Sequence, residues 1–247
     1  MSLRRAWAFL TRLPGGAHPE TDRELGRSVP WFPLVGAVVG AVSGGIYWAL
    51  HGPLGGTVAA VLAVAAGVIA TGGFHEDGLA DTADALGGST REQRLEIMKD
   101  SRVGAFGVLA LVLSTLVRVF AVSSLAAVDG LVVLVAAHTV GRSTAVATMG
   151  LVPAAVGSGL GHSYTEHLPR AWTAVAVIAS SAVAAGLGLA GAVALLSAAA
   201  GAATVGLIAR RAFGGTTGDV LGAIEQVGEM AVLVSAAGLV ATYGWSW

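Results

Sequence analysis

The sequence contains no cysteine, which excludes disulfides and thiolate-held metals. Charge is nearly as scarce: Asp, Glu, Lys and Arg make up 12% of the 247 residues, against about 25% in soluble domains. A net charge of -1 offers nothing to a nucleic-acid backbone, so no nucleic-acid partner is expected. What remains is apolar, 55% hydrophobic with 36 glycines, and it is gathered in blocks. Several blocks reach the roughly 20 residues that cross a bilayer. The expected fold is therefore all-α, a polytopic membrane helical bundle forming one domain over 1–247, with no linker to divide it. The N-terminal MSLRRAWAFLTRLP has too short an apolar part and no small-residue cleavage site, and so reads as mature chain rather than signal peptide.

The blocks predict about seven transmembrane helices, near 32–50, 57–73, 104–126, 130–149, 171–186, 188–208 and 229–246, with GLG at 186–188 as the turn between the fifth and sixth. The first helix has an alternative start at Pro30 or Pro33, since proline is tolerated in a first turn. If the sides alternate, every one of the 14 Lys and Arg except Arg118 and Arg142 falls on the same face. Basic loops favour the cytoplasm, so the N-terminus and the long loops 74–103, 150–170 and 209–228 are expected there, in a cytoplasmic-membrane protein. The opposite face has only tight turns. A transporter needs access from both faces; an enzyme working on cytoplasmic substrates needs only one. The abundant small residues suit close helix packing.

One stretch breaks the apolar pattern. GGFHEDGLADTADALGG, 72–88, sets Asp77, Asp81 and Asp84 at i, i+4 and i+7, on one face of a helix. Like charges at that spacing repel, unless a cation sits among them. Oxygen ligands without Cys suit a hard ion, and Mg²⁺ is commonly held by one or two carboxylates plus substrate phosphates; Mn²⁺ is the alternative. Glu76 points about 100° away from Asp77 and is the weaker candidate ligand. The plain alternative is a loop helix whose acids are solvated, but the acids alternate with Leu79, Ala80, Ala83 and Leu86 between glycine pairs. His75 is open to capping, ligation or base chemistry.

The sign then changes. In KDSRVGAFG, Lys99 and Arg102 flank Asp100 at the mouth of the third span and offer cations for phosphate oxygens. Membrane topology already accounts for Arg91 and Arg94. A third element, RRAFGGTTGDVLGAIEQ, can present backbone N–H groups to phosphate around Gly215, Thr217 and Gly218, with Asp219 as a further ligand. Arg142, one turn after His138, extends the polar site inward. Arg118 has no acid expected at its depth, leaving carbonyl pairing and function equally open. Acids for a divalent ion, cations for phosphate and glycine turns on one face are the equipment of metal-assisted phosphoryl transfer.

FLTRLP at 9–14, WFPLVGAVVG at 31–40, the acid string, RLEIMKDSRVGAFG at 94–107 and GGTTGDVLGA at 214–223 together resemble the cobalamin synthase family, the adenosylcobinamide-GDP ribazoletransferases, in order and over nearly the whole chain. The resemblance implies a Mg²⁺-dependent membrane enzyme of late vitamin B12 synthesis. Such an enzyme joins adenosylcobinamide-GDP to α-ribazole or its 5′-phosphate and releases GMP. Carried onto this chain, it marks His75, Asp77, Asp81, Asp84, Lys99, Asp100, Arg102 and Asp219. Glu76 departs from the pattern where a neutral residue is expected, and Ala85 where glycine is commoner. The stretch 150–170, with His162, Tyr164 and His167, is expected to line a cleft for the corrinoid. Oligomeric state is left open; a homo-oligomer is compatible with the sequence. The rivals are a CDP-alcohol phosphotransferase, whose DGxxAR is broken here by an acid after DGLA, and a cation transporter, whose site belongs at mid-membrane.

Overall fold

Long charge-poor stretches with few prolines have one way to satisfy their backbone in lipid, which is to form helices. The computed structural model describes residues 2–18, 21–155, 167–185 and 188–244, and among these it contains α-helices, short turns and a single isolated β-bridge. In chain order the helices are α1 (Ser2–Leu10), α2 (Asp22–Ser28), a 3-10 turn (Val29–Trp31), α3 (Phe32–Leu54), α4 (Gly56–Thr71), α5 (Phe74–Ala85), α6 (Arg91–Ile97), α7 (Ala105–Ser123), α8 (Ala127–Leu151), α9 (Arg170–Ala185), α10 (Gly188–Ala212) and α11 (Gly218–Tyr243).

Apolar helices stand at all seven expected places. Five are long and apolar enough to cross a membrane by themselves, and six if α4 and α5 count as one bent span. The count is lower than seven because α4 and α9 are only 16 residues each. The α3 start falls as the prolines suggest, with Pro33 in its first turn after the 3-10 turn. The last helix corrects the expected span of 229–246: it begins at Gly218, so residues assigned to a loop lie inside the bundle. Of the expected GLG turn, residues 186–187 lie outside the described residues, as do 156–166 with His162 and Tyr164.

Helix α7 shows how the bundle faces lipid. Phe106, Leu109, Leu113, Leu116 and Phe120 are exposed, while Gly107, Ser114 and Arg118 are buried. Apolar out and polar in is the reverse of a soluble helix, and it needs an apolar surrounding. At the centre, α8 packs along α3 through glycines. A Cβ on Gly36, Gly40 or Gly44 would come within 2.4, 2.6 or 2.8 Å of backbone oxygens at His138, Leu134 and Leu131, so bare backbones allow the approach. Tyr47 donates from its hydroxyl to the Leu125 carbonyl at 2.7 Å and packs against Gly130.

The break that positions the site lies between α4 and α5. Gly72 and Gly73 both have φ 68°, left-handed backbone that residues with a Cβ rarely adopt, and the chain turns by 89° there.

Candidate active site

The acid string is helical, as its spacing requires. Helix α5 lies against both α7 and α11, and its bare Gly78 allows the second approach: a Cβ there would sit 2.7 Å from the Asp219 carbonyl. Gly222 on α11 faces Gly78 and the His75 backbone in return. This crossing brings Asp77 and Asp81 of α5 to Asp219 of α11. The charges of Asp77, Asp219 and Asp84 all bear on Asp81.

The four acids of α5 have different partners. Glu76 turns into the bundle and accepts from Arg118 at 2.9 Å. The Asp84 carboxylate accepts the N–H of Gly104 at 2.7 Å and of Gly107 at 2.8 Å. It thereby caps α7, whose own N-cap residue, Gly104, has no side chain to do so. A Cβ at either glycine would fall 2.5 or 2.3 Å from that carboxylate, which explains why VGAFG is bare at these two positions. Asp84, unlike Asp77 and Asp81, is thus engaged by backbone donors of another helix, one at each carboxylate oxygen. Asp77 and Asp81 have no basic partner among the described residues, and neither does Asp219.

Two expected site residues are buried in an ionic network instead. Arg142, 2% exposed, binds Glu225 at 2.5 Å and the His138 carbonyl at 3.0 Å. It therefore ties α8 to α11 inside the bundle. His75 is likewise enclosed, its Nδ1 3.6 Å from Glu225. Arg118, with no acid expected at its depth, has two: Glu76 and, at 3.5 Å, Glu229. His138 Nδ1 lies 2.9 Å from Glu229. Sequence reasoning missed Glu225 and Glu229. Their signal was present, two acids at i, i+4 in an apolar run with two intramembrane arginines unaccounted for.

Among the described residues, His138, Glu225 and Glu229 form the one set of three whose potential ligand atoms all lie within 4.8 Å of one another. Guanidinium groups already occupy that set, which argues against a cation there: breaking one buried pair costs about 3–5 kcal/mol. Asp77, Asp81 and Asp219 are set wider apart and have no such competitor. A wider oxygen set fits an ion that keeps several waters and takes further oxygens from phosphate, as Mg²⁺ does.

The cations of the loop are free by comparison. Lys99 is exposed, and Arg102, 86% exposed, forks onto Asp100 with its closest contact at 2.6 Å. Those hydrogen bonds hold the Asp100 carboxyl down at about 2. Exposed pairs are worth little, so the guanidinium can exchange Asp100 for a phosphate at small cost. Arg91 and Arg94 are used structurally, donating to carbonyls at Ala155 (2.6 Å) and at Gly88 and Ala212 (2.8 and 3.4 Å). In the glycine loop, buried Gly215 packs on Pro153 and its amide points to Ala209, while Thr217 caps α11 by accepting from Val220 N. The Gly215 amide and the Thr217 hydroxyl are thus already engaged. Gly218, first in α11, has an N–H with no intrahelical acceptor, while the N–H of Asp219 is turned to its own carboxylate.

A helical membrane bundle with unpaired acids, exposed cations and a free helix N-terminus gathered at one end defines a membrane-embedded protein with a polar centre at one face. The family model described as cobalamin-5-phosphate synthase matches residues 2–237, and the chain belongs to this family and is an enzyme. Similar curated proteins named adenosylcobinamide-GDP ribazoletransferase come from Bradyrhizobium diazoefficiens, 40% identical over 95% of this chain and 92% of that one; from Allorhizobium ampelinum, 40% identical over 95% of each; and from Pseudomonas savastanoi pv. phaseolicola, 39% identical over 92% and 93%. No solved structure matches.

Proposed function

We propose that the chain transfers the adenosylcobinamide phosphate group from adenosylcobinamide-GDP to α-ribazole or its 5′-phosphate, releasing GMP, and that Mg²⁺ supports the reaction. Family membership supports the substrates. One observation supports the location of the centre: among the acids of α5 and α11, only Asp77, Asp81 and Asp219 are engaged neither by a basic side chain nor by the backbone of another helix.

In the reaction, a ribose hydroxyl oxygen bonds to the phosphorus that bears cobinamide. The bond from that phosphorus to GMP breaks, GMP leaves with the electron pair, and the hydroxyl proton is lost to solvent at the open face. Asp77, Asp81 and Asp219 would hold the ion, which would neutralise phosphate charge as it moves to the leaving group. Lys99 and Arg102 bind the outer phosphate oxygens, and the start of α11 meets an anion with the positive end of the helix dipole. The basic residues of the loops on this face support an orientation toward the cytoplasm, in a cytoplasmic membrane. The test is GMP release by protein in lipid nanodiscs, given both substrates and Mg²⁺. Release that needs both substrates and is lost in Asp81→Asn supports the reading. No turnover by folded wild-type protein rejects it.

A further inference from the structure

We infer that Arg118 is a positioning residue: one guanidinium clamps α5 to α11 and so sets how Asp77 and Asp81 stand relative to Asp219. The inference rests on the acid centre proposed above, and it concerns a buried residue that is not one of its acids.

Arg118 lies on α7 with its side chain 3% exposed, and its Nη1 contacts Glu76 of α5 at 2.9 Å and Glu229 of α11 at 3.5 Å. Those two helices carry the unpaired acids. Glu76 adjoins Asp77, whereas Glu229 is ten residues, about 15 Å along the axis, from Asp219. Bare backbone at Gly78 and Gly222 brings α5 and α11 together along their packed faces, which sets their separation. Two polar contacts, both made to α7, add to that packing in fixing the rotation of α5 about its axis. Near its start α5 is fixed through Glu76 to Arg118, and near its end through Asp84 to the amides of Gly104 and Gly107. With Glu76 held inward, Asp77 lies about 100° further round the helix and is exposed. Asp81, one turn on, follows it.

Conformational specificity fits this network better than stability does. Buried ion pairs rarely stabilise more than apolar residues of the same shape would, and Arg118 Nε and Nη2 and Glu76 Oε2 have no hydrogen-bond partner among the described residues. Glu229 is held from a second side by His138 at 2.9 Å, so the α11 end of the clamp is itself anchored to α8.

The experiment measures Mn²⁺ binding by electron paramagnetic resonance in nanodiscs without organic substrates, alongside the Mn²⁺ dependence and the α-ribazole KM of GMP release. Glu76→Asp keeps the charge but draws the anchor in by one methylene. It is expected to weaken Mn²⁺ binding about tenfold and to raise the Mn²⁺ requirement equally, with the α-ribazole KM unchanged. Glu229→Gln should do the same from the α11 side. Arg118→Met should do so more strongly; should it fail to fold, the Glu76→Asp result decides. Mn²⁺ affinity unchanged in folded Glu76→Asp and Glu229→Gln, while Asp81→Asn abolishes it, overturns the clamp and leaves the acid centre standing. Affinity unchanged in Asp81→Asn as well means that the acid centre has failed, and the clamp with it.

Discussion

Asp84 and Gly107 are joined by a hydrogen bond of 2.8 Å from the glycine amide to the carboxylate, and this bond separates Asp84 from the acids it resembles in sequence. Asp84→Asn weakens a helix cap and should cost about 1 kcal/mol, seen chiefly as a lower unfolding temperature, with Mn²⁺ affinity falling by no more than the tenfold expected of Glu76→Asp. Asp81→Asn should do the opposite. Relief of repulsion leaves stability level or slightly higher, while GMP release falls by two orders of magnitude or more, since positioning and charge neutralisation supply most phosphoryl-transfer catalysis. Equal behaviour of the two variants in both measurements would show that the acids of α5 are not divided in this way.

Arg142→Met leaves Glu225 buried beside His75 without its guanidinium, and a broken buried pair costs about 3–5 kcal/mol. The unfolding midpoint in mild detergent should fall accordingly. Pairing the change with Glu225→Leu should recover most of the loss, because an apolar pair of similar volume removes both desolvation penalties at once. A double-mutant cycle reads the coupling directly.

The difference between what the sequence foretold and what it hid follows from the range of each signal. The places of the apolar helices are local properties, and so are the helical spacing of Asp77, Asp81 and Asp84 and the break at Gly72–Gly73. All of these could be read in advance. Which acid pairs with which arginine could not, because Glu76 and Glu229, the partners of Arg118, and Glu225, the partner of Arg142, lie on other helices and become neighbours only on packing. Hydropathy averaging made the matter worse. It counts Glu225 and Glu229 as polar and so began the last helix at 229, whereas in the bundle their charges face guanidinium and imidazole and the helix starts at Gly218. Thr217 reads as a phosphate ligand in a glycine loop, yet three residues later Val220 needs a cap. The VGAFG glycines, by contrast, acquire a physical reason only once Asp84 is seen against them.

Arg102 is exposed and, among the described residues, bound only to Asp100, so Arg102→Ala should leave the unfolding midpoint unchanged and raise the KM for adenosylcobinamide-GDP by about tenfold, the loss of one charge-assisted contact to phosphate. The pH profile follows from the sign of the Asp100 shift. A depressed acid contributes to stability above its unfolded value and loses that contribution only as pH falls through the folded one, here about 2. Asp100 is therefore ionised throughout the neutral range, and replacing it with Asn should shift no apparent pKa of turnover between pH 5 and 9. A pH–rate profile for Asp100→Asn that moves within that window would contradict the pairing.

Two glycines of α3 should respond to alanine with opposite sign. At Gly40 a Cβ would lie 2.6 Å from the Leu134 carbonyl oxygen. Gly40→Ala must therefore push α3 off α8, at a cost of about 1–3 kcal/mol for overpacking. Separation of these helices also disturbs Gly36, which lies against Arg142 and His138, so some activity should go with the stability. Gly45, in the same helix, has nothing within 4 Å of its would-be Cβ. Gly45→Ala removes backbone freedom without a clash and should stabilise the helix by about 0.5–1 kcal/mol. Thermal unfolding of both variants in the same detergent measures the pair. If Gly40→Ala proves as harmless as Gly45→Ala, the close contact of α3 with α8, and with it the frame that holds Arg142 against Glu225, is wrong.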